Sequence, residues 1–537
     1  MDDTATAPLL TSHKAKPSPA RPSSIDSLIE TYIGDTGSLQ LLKAVFVAFA
    51  WAFDAQQVFV SVFTDAAPPW HCVGNSSSCT AAAMASPCAL PPDTWAWDLP
   101  AYTSVVSEWA LQCAGLAALV SLLASSFFAG CLAGGFLLTT VADSRLGRKR
   151  TLVASPASMS VAGVLTAFFA RNVWAYAALR FVAGFARSVV GTCTLVLSTE
   201  LVGKRWRDVV SVAAFLCYTL GFLSLPLLAF ALREASWRSL YLWISVPCLC
   251  YAVVLCFLAH ESPRWLLLRG RTQEAVETLH KIASLNGMST TDTTSLLSTT
   301  VDACNIVREE EGGGGMFATV RTMSERPWAI RRLAAIMAAG FGVGMVYFGM
   351  PLGVGNLGGS SIYLSTTYNA VAEVPSAVLS WLLIARANRR GSVVALAMAA
   401  GACSLACVAI PQQEGTRIGA ELVFFLSTCT AYDVILVYAI ELLPTSVWNT
   451  AVGMVRQAMV LGGVAAPVLV ALGRARSSVW SFGVFGIAIC CSGLFAACLP
   501  ETRGRTMSDT MEEEEERNSM ESVSGPIAKY ANSSDLV

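Results

Sequence analysis

The chain has 537 residues, of which 54% are hydrophobic and only 14% are charged, and its mean hydropathy is +0.56. Ordinary soluble domains carry about 25% charged residues, so this composition indicates an integral membrane protein. The 36 basic and 37 acidic residues leave a net charge of −1, which offers no electrostatic footprint for nucleic acid, and the hydropathy excludes a disordered chain or a coiled coil.

Apolar stretches recur along the chain at the length that a membrane-spanning helix needs, about 20 residues. Residues 1–38 precede the first of them and lack the apolar core of a signal peptide, so we expect a soluble tail. The pattern predicts an all-α membrane protein with twelve transmembrane helices, at 39–63, 116–142, 151–170, 172–198, 209–231, 237–259, 331–355, 361–385, 392–410, 417–440, 450–472 and 478–499.

The orientation in the membrane follows from the positions of Lys and Arg, which concentrate in cytoplasmic loops. The segment 64–115 contains neither, so it is predicted to be external. Both termini, the central segment 260–330 and the acidic tail 500–537 are predicted to be cytoplasmic, with membrane halves at 39–259 and 331–499. Basic residues cluster after the second, fourth and eighth stretches, at Arg145, Arg148, Lys149, Arg150, Lys204, Arg205, Arg207, Arg386, Arg389 and Arg390.

The external segment carries four cysteines, Cys72, Cys79, Cys88 and Cys113. Cysteines outside the cytoplasm form disulfides in an oxidising space, so we expect two bridges, and the three possible pairings stay open. Asn75 begins the sequence Asn-Ser-Ser and is a candidate glycosylation site.

Three short sequences of the first half recur about 240 residues later, each time at the cytoplasmic end of a span. The run Asp143–Arg150 is echoed by Asn388–Gly391, Glu200–Arg207 by Glu441–Trp448, and Glu261–Arg264 by Glu501–Gly504. Two six-helix halves in the same orientation form the parallel repeat of a major-facilitator fold, and the sequence predicts that architecture.

Acidic and basic residues of these repeats are candidates for a cytoplasmic gate. Carboxylates beside arginines at helix ends can latch one half against the other through ion pairs that break when the halves rock. The alternative is that the basic residues only set the orientation in the membrane. The candidate gate residues are Asp143, Arg145, Gly147, Arg148, Glu200, Arg207, Glu261, Arg264, Asn388, Arg389, Glu441 and Glu501. Beyond them, the run Glu512–Glu516 is expected to be a solvated acidic tail.

The motifs resemble the major facilitator superfamily and, within it, the organic cation, anion and carnitine transporter family, over nearly the whole chain. The runs Glu261–Leu266 (ESPRWL), Glu441–Gly453 (ELLPTSVWNTAVG) and Pro500–Gly504 (PETRG) follow in the order that this family shows. The run Asp54–Ala66 (DAQQVFVSVFTDA) is most similar to its plant branch of organic cation/carnitine transporters. The chain departs from the pattern at Asn388, where the superfamily usually has an aspartate.

The resemblance implies a secondary transporter rather than an enzyme, working by alternating access on small organic cations or the zwitterion carnitine. We further hypothesise coupling to protons through Asp54, Glu373 or Asp433, and we expect a monomer in the bilayer. The sequence shows no cluster of metal ligands and no catalytic constellation, so we expect neither a cofactor or metal nor an enzyme. Two alternatives stay open. A sugar or polyol porter of the same superfamily would normally carry a Gln-Gln pair in the seventh span, and residues 331–355 contain none. The other is a receptor that keeps the fold without moving solute.

The sequence leaves two destinations open, the vacuolar membrane and the plasma membrane. Asp3 and the Leu9-Leu10 pair resemble an acidic dileucine sorting signal, which indicates the vacuolar membrane. A glycosylated external loop fits either the vacuolar or the plasma membrane.

Charged residues inside spans are costly, and therefore mark a substrate pathway or a buried ion pair. Asp433 is the leading candidate for binding a cation, because cation-transporting relatives carry an acidic residue eight positions before the glutamate that corresponds to Glu441. Glu373 precedes Pro375 in an E-x-P pattern that resembles the family's cation carriers. Its alternative role is a structural carboxylate paired with an arginine.

Four further charges are candidates for buried pairing or coupling: Asp54, Arg180, Arg187 and Arg456. Arg180 and Arg187 are seven positions apart on one helix face, and we expect them to pair with Asp54, Glu200 or another carboxylate. Arg456 is predicted to contact either the substrate or a buried partner.

Aromatic side chains in the spans that line the cavity of this fold complete the candidate site. A ring within about 6 Å of a quaternary ammonium contributes about 0.5–2 kcal/mol. For any single ring, helix packing is the alternative. The candidates are Trp51, Tyr218, Tyr347, Phe348, Tyr432 and Tyr438.

Overall fold

A computed structural model describes residues 36–73, 87–113, 117–141, 147–285, 316–353, 361–409, 414–476, 480–505 and 508–520. Within these ranges, twelve helices are long and apolar enough to cross a membrane. The predicted all-α membrane protein with twelve transmembrane helices is confirmed, and the chain is a multi-pass membrane protein.

The first half contains the first to sixth spans. Two of them are interrupted: the first span breaks at Phe49 and Val60, and the fourth breaks at Ser188 and Val189. In chain order, the helices are Ser38–Ala48, Ala50–Phe59 and Ser61–Thr64, then Ala117–Val141, Arg148–Phe169, Val173–Arg187 with Val190–Glu200, Lys204–Ala231, and Trp237–Leu258.

The second half contains the seventh to twelfth spans. Several helices begin before the predicted apolar stretch; the seventh span, for example, starts at Pro327. Polar residues can extend a helix past the hydrocarbon core, where hydropathy no longer reports it. The helices are Pro327–Gly353, Ile362–Arg386, Arg389–Ala409, Glu414–Glu441, Trp448–Arg476 and Trp480–Phe495.

The two halves are related by close helix packing at equivalent places. A side chain on Gly221 would collide with the backbone of Ala52, where the fifth span crosses the first. A side chain on Gly462 would collide with the carbonyl of Phe341, where the eleventh span crosses the seventh. Glycine lets helices approach this closely because it has no Cβ.

Aromatic rings close the cleft between the halves at the end that carries the cysteine loop. We call this the external end, after the predicted orientation, and the opposite one the cytoplasmic end. Tyr363 at the start of the eighth span stacks on Phe63 of the first span, with ring centroids 5.6 Å apart. Its ring also contacts Phe230 of the fifth span at 5.6 Å.

The external loop contains a small antiparallel sheet, β1 (Trp70–Cys72) and β2 (Trp95–Trp97), with Trp70 opposite Trp97. Cys88 and Cys113 form a disulfide. Cys72 is disulfide-bonded as well. The predicted positions Cys79 and Asn75 lie outside the described residues.

In the described part of the chain, four helices lie outside the spans at the cytoplasmic end: Pro263–Leu268, Thr272–Leu285, Met316–Ser324 and 511–520. In the last of these helices, Glu512, Glu513, Glu515 and Glu516 are exposed, as expected of a solvated acidic tail, and the expectation is wrong for Glu514. Glu514 is buried and accepts a hydrogen bond from Arg332 at 2.7 Å, and Arg326 pairs with Glu512 at 2.8 Å. The acidic run docks because basic residues near the start of the seventh span neutralise it.

Candidate functional site

Glu373 lies at the contact between the two halves, in the middle of the eighth span. Its side chain is buried, and Tyr347 of the seventh span donates a hydrogen bond to Oε1 at 2.8 Å. Thr219 of the fifth span donates to Oε2 at 3.2 Å. One carboxylate therefore takes one hydrogen bond from each half, so its charge state affects contacts on both sides of the cleft.

Asp433 lies on the tenth span, half-buried, with Ser380 donating to Oδ2 at 2.9 Å. Across the described ranges, Asp433 and Glu373 each have hydroxyl partners and no ion pair with a lysine or arginine. Two carboxylates in the spans are thus held without a fixed counter-charge. Such groups are costly in a membrane unless a cation or a proton neutralises them.

Aromatic rings of the second half surround the Tyr347–Glu373 pair. The Tyr347 ring lies 4.8 Å from Tyr432 and 5.0 Å from Phe348, and it stacks with Phe425 at 6.0 Å. These centroid separations are those of favourable aromatic pairs. The cluster offers several π-faces next to a carboxylate.

Trp51 and Tyr218 supply rings from the first half, 6.2 Å apart. The indole Nε1 of Trp51 donates to the Gly191 carbonyl at 3.2 Å, which fixes its orientation. Tyr218 precedes Thr219, the residue that contacts Glu373. The rings predicted from sequence in the first, fifth and seventh spans thus lie along one connected surface.

Arg456 of the eleventh span reaches toward the first half beside Trp51. A Cβ placed on Gly191 would lie 3.3 Å from Arg456 Nη2 and 3.7 Å from Trp51 Nε1. The guanidinium is half-buried, and among the described residues no carboxylate forms an ion pair with it. A positive group therefore lies between the halves, as the carboxylate of Glu373 does.

Asp54 and Arg187 form a buried ion pair between the first and fourth spans, as the spacing predicted. Arg187 donates from Nε and Nη2 to the two carboxylate oxygens, at 2.7 and 2.8 Å. Both side chains are largely buried, with exposed fractions of 5% for Asp54 and 16% for Arg187. This carboxylate is compensated within its own half.

Arg180 is hydrogen-bonded to neither Asp54 nor Glu200, the two carboxylates that the prediction named. It donates to the Ser61 hydroxyl at 2.8 Å and the Gln57 carbonyl at 3.2 Å, and its guanidinium lies 4.2 Å from the centroid of the Phe127 ring. Glu200, the other proposed partner, is bound to Arg148 instead. A hydroxyl, a carbonyl and an aromatic face contact the buried guanidinium, and the buried carboxylate of Asp65 interacts with it electrostatically without forming a hydrogen bond.

Tyr438 is not brought into the aromatic cluster. Its hydroxyl donates to the Pro500 carbonyl at 2.6 Å, at the cytoplasmic end of the tenth span. Both Tyr438 and Tyr347 lie on membrane-spanning helices, and only tertiary contacts separate the two rings.

The candidate gate residues form two matching clusters, one in each half. In the first, Arg148 Nη1 pairs with Glu200 at 2.6 Å, and Glu261 accepts the backbone N–H of Arg148 and Lys149 at 2.9 Å. Ser262 also donates to Glu200. Gly147 precedes this helix with φ of +84°, a left-handed conformation that suits glycine, and a Cβ there would collide with Glu261.

The second cluster repeats each contact. Arg389 Nη2 pairs with Glu441 at 3.0 Å, and Glu501 accepts the backbone N–H of Arg389 at 2.8 Å and of Arg390 at 3.2 Å. Thr502 donates to Glu441 at 2.6 Å. The sequence repeat thus corresponds to a repeated set of contacts.

These contacts lie within each half, so the expected latch between the halves is not formed by them in this conformation. Asn388 contributes its carbonyl to the first turn of the ninth span, accepting the Ser392 N–H at 2.9 Å. Arg264 is exposed. Arg207 is half-buried on the first turn of the fifth span. Asp143 and Arg145 lie outside the described residues.

Sequence reasoning missed two kinds of residue. Glu421 is a buried carboxylate in the tenth span, and a complete count of charges within the predicted spans would have found it. Thr219 and Ser380 carried no signal, because hydroxyl residues are common in membrane helices and only the fold places these two against carboxylates.

Comparisons with known proteins agree with one another on the class of protein. The sequence profile of the family described as "Sugar (and other) transporter" matches residues 71–513. The chain is 45% identical to organic cation/carnitine transporter 2 of Arabidopsis thaliana, over 97% of this chain and 99% of that protein. It is 30% identical to human solute carrier family 22 member 2, over 79% of this chain and 73% of that protein.

Among solved structures, the inward open conformation of the xylose transporter XylE from E. coli is similar in fold. The TM-score is 0.60, with 14% sequence identity, and the match covers 87% of this chain and 97% of that one.

Proposed function

The chain belongs to the organic cation/carnitine transporter family of the major facilitator superfamily, and on that premise we propose that it carries small organic cations or the zwitterion carnitine by alternating access. Its named relatives are transporters rather than enzymes, and the major-facilitator fold supports transport. The observation that carries the choice of cargo is the carboxylate of Glu373, which accepts hydrogen bonds from both halves.

An ammonium group bound at Glu373 would compete with the hydroxyl donors of Tyr347 and Thr219. Those donors come from different halves, so binding would loosen or remake a contact across the cleft. A ligand shifts a conformational equilibrium only through such differential contacts. This supports Glu373 as the group that links cargo binding to rocking of the halves.

The aromatic cluster supports recognition of a quaternary or tertiary ammonium. Tyr347, Phe348 and Tyr432 lie within 6.5 Å of one another, next to the carboxylate. Rings of this kind attract a cation by about 0.5–2 kcal/mol each when it is desolvated. Methylated ammonium ions fit such a surface better than sugars, which need many hydrogen-bonding side chains.

Arg456 supports the zwitterion within this substrate class. Its guanidinium lies beside Trp51 without an acidic partner in the described part of the chain. A carboxylate on the cargo would neutralise it through charge-assisted hydrogen bonds. We therefore expect Arg456→Gln to reduce carnitine uptake at least ten-fold while choline uptake changes less than three-fold. Equal loss of both cargoes would contradict a carboxylate-binding role.

Proton coupling is proposed through Glu373 and Asp433, with Asp54 set aside because Arg187 already compensates it. The cleft holds two carboxylates without a fixed counter-charge, so one monovalent cargo leaves one for a proton. Cation uptake in proteoliposomes should then rise with an inward proton gradient. An uptake rate that changes with neither the proton gradient nor a protonophore would contradict the coupling.

The test of the function itself is flux of a radiolabelled cation into proteoliposomes. Glu373→Gln keeps the shape and removes the charge, and should reduce choline or carnitine uptake at least ten-fold. Glu421→Gln is the matched control, a buried glutamate on another part of the same half. Saturable binding without flux would identify a receptor, and uptake of xylose in preference to carnitine would identify a sugar porter.

The protein is proposed to act as a monomer in either the plasma membrane or the vacuolar membrane. Imaging of a tagged full-length chain with markers for both membranes would decide between the addresses. If Asn75 carries a glycan, endoglycosidase treatment should increase the mobility of the protein on a denaturing gel.

A further inference from the structure

We propose that the cytoplasmic end of the second half contains a binding site for a phosphate-bearing anion, outside the central cleft. The structure has a cavity of about 240 Å³ there, between the ends of the seventh, tenth and twelfth spans and helix 511–520. About 10–15 Å³ of such space already holds a water molecule, so a polyatomic ion fits. The charged lining residues are Arg332, Arg389, Arg505, Arg517, Glu441 and Glu514.

The lining carries more positive than negative charge, since four guanidinium groups face two carboxylates. Both carboxylates are already engaged. Glu441 accepts hydrogen bonds from Arg389 and Thr502. Glu514 accepts hydrogen bonds from Arg332, Arg517 and Ser508. An anion with two negative charges, such as a phosphate monoester, would balance the lining as a whole.

The donor chemistry fits phosphate better than a simple halide. Each guanidinium presents several N–H groups in a planar fork, which matches the spacing of phosphate oxygens. Arg505 reaches the cavity because Gly504, with φ of +77°, reverses the chain just before it. That left-handed conformation is open to glycine at little cost.

Helix 511–520 forms one wall of the cavity, through Glu514 and Arg517. A bound phosphate would compete with Glu514 for Arg332, which joins the helix to the seventh span. Arg332 also donates to the Leu442 carbonyl at the end of the tenth span, at 3.3 Å. Occupancy of the site would therefore alter how the acidic helix is held against the cytoplasmic ends of two spans.

The phosphate can come from either of two sources, a free anion in the cytoplasm or a lipid headgroup of the inner leaflet. Anionic lipids give that leaflet a negative surface potential that attracts basic groups near the membrane. The shared chemistry is the phosphate itself, so the experiment uses both forms.

The test measures binding to the purified full-length protein by calorimetry, with inorganic phosphate added at constant ionic strength. A second arm compares nanodiscs that contain phosphatidic acid, whose phosphate is a monoester, with nanodiscs that contain phosphatidylglycerol. Arg505→Gln removes one exposed lining charge. Arg503→Gln is the matched control, because it removes an exposed charge from the same segment without lining the cavity.

We expect saturable binding that weakens at least ten-fold in Arg505→Gln and less than two-fold in Arg503→Gln. Binding of inorganic phosphate would assign the free anion, and preference for phosphatidic acid without binding of inorganic phosphate would assign the headgroup. The proposal is overturned by absence of saturable binding of both inorganic phosphate and phosphatidic acid, or by equal loss in the two variants. Where inorganic phosphate does not bind, equal binding of phosphatidic acid and phosphatidylglycerol overturns it as well.

Discussion

The buried pair of Asp54 and Arg187 provides a quantitative test of how the first half is stabilised. Replacing Asp54 by Asn leaves the shape nearly unchanged but removes the negative charge. The guanidinium of Arg187 then stays inside the bundle without an ion-pair partner. The reverse replacement, Arg187→Gln, leaves the carboxylate of Asp54 uncompensated in the same place.

The geometry sets the expected magnitude. Two charge-assisted hydrogen bonds, at 2.7 and 2.8 Å, join side chains that are 5% and 16% exposed. Unit charges about 4 Å apart interact by about 4 kcal/mol at an effective dielectric constant of about 20. Breaking a buried pair by removing one partner costs about 3–5 kcal/mol, because the other charge is left buried. We expect each single variant to lose about that much, and the double variant to lose about 3 kcal/mol less than the sum.

The assay is a double-mutant cycle on the free energy of unfolding in mixed micelles. The exposed pair Arg271–Glu274, with side chains 41% and 54% exposed, is the control and should show a coupling energy below about 0.5 kcal/mol. A coupling energy for Asp54 and Arg187 as small as that of the control would contradict a stabilising buried ion pair. It would mean that water or a rearranged neighbour compensates the remaining charge.

Two further predictions concern stability. The pKa of His260 is lowered to about 4 by burial and by the positive charges of Lys43, Lys149 and Lys281. Between pH 6.5 and 4, the unfolded chain therefore takes up a proton at this histidine that the folded chain does not. The unfolding midpoint should fall as the pH falls through that window, and less so in His260→Gln; an identical pH dependence in both proteins would show that the histidine is not responsible. Gly221→Val should lower the yield of folded protein in size-exclusion chromatography, because the new side chain has no room against the first span; a normal elution profile would contradict that packing.

Much of the fold follows from local sequence properties. A run of about 20 apolar residues that crosses a bilayer forms a helix, because the helix satisfies the backbone N–H and C=O groups within the segment itself. That constraint holds regardless of neighbours, so the twelve spans could be placed from the sequence. The helix ends differ more from the predicted bounds, because a polar turn can continue a helix without adding hydropathy. The fifth span, for example, begins at Lys204 rather than at residue 209.

The repeated motifs predicted contacts as well as architecture. Glu200, Glu261 and their counterparts Glu441 and Glu501 lie beside arginines and backbone amides at helix ends, where carboxylates are favoured. The predicted latch between the halves is not formed by these groups in this conformation. Which half a charge pairs with depends on the conformation of the whole transporter, and sequence alone does not specify that state.

Within the candidate site, residue type and position along a span identified which groups are costly in lipid, but not their partners. Glu373 and Asp433 stood out for that reason. Arg180, chosen by the same argument, donates to a hydroxyl and a carbonyl, lies against a ring, and has Asp65 as its electrostatic partner. The position of a residue on a helix gives the direction in which its side chain points. The side chains that it meets there belong to helices far away in the chain, so the sequence does not identify them.

Hydropathy and short-range pattern are enough to predict the class of protein, the number of spans and the repeated charge motifs. They do not predict that Thr219 contacts Glu373, 154 residues away, that Tyr438 lies apart from the other rings, or that the acidic run packs against Arg326 and Arg332. Such contacts depend on how the helices cross, and the crossing angles are set by the packing of all spans together.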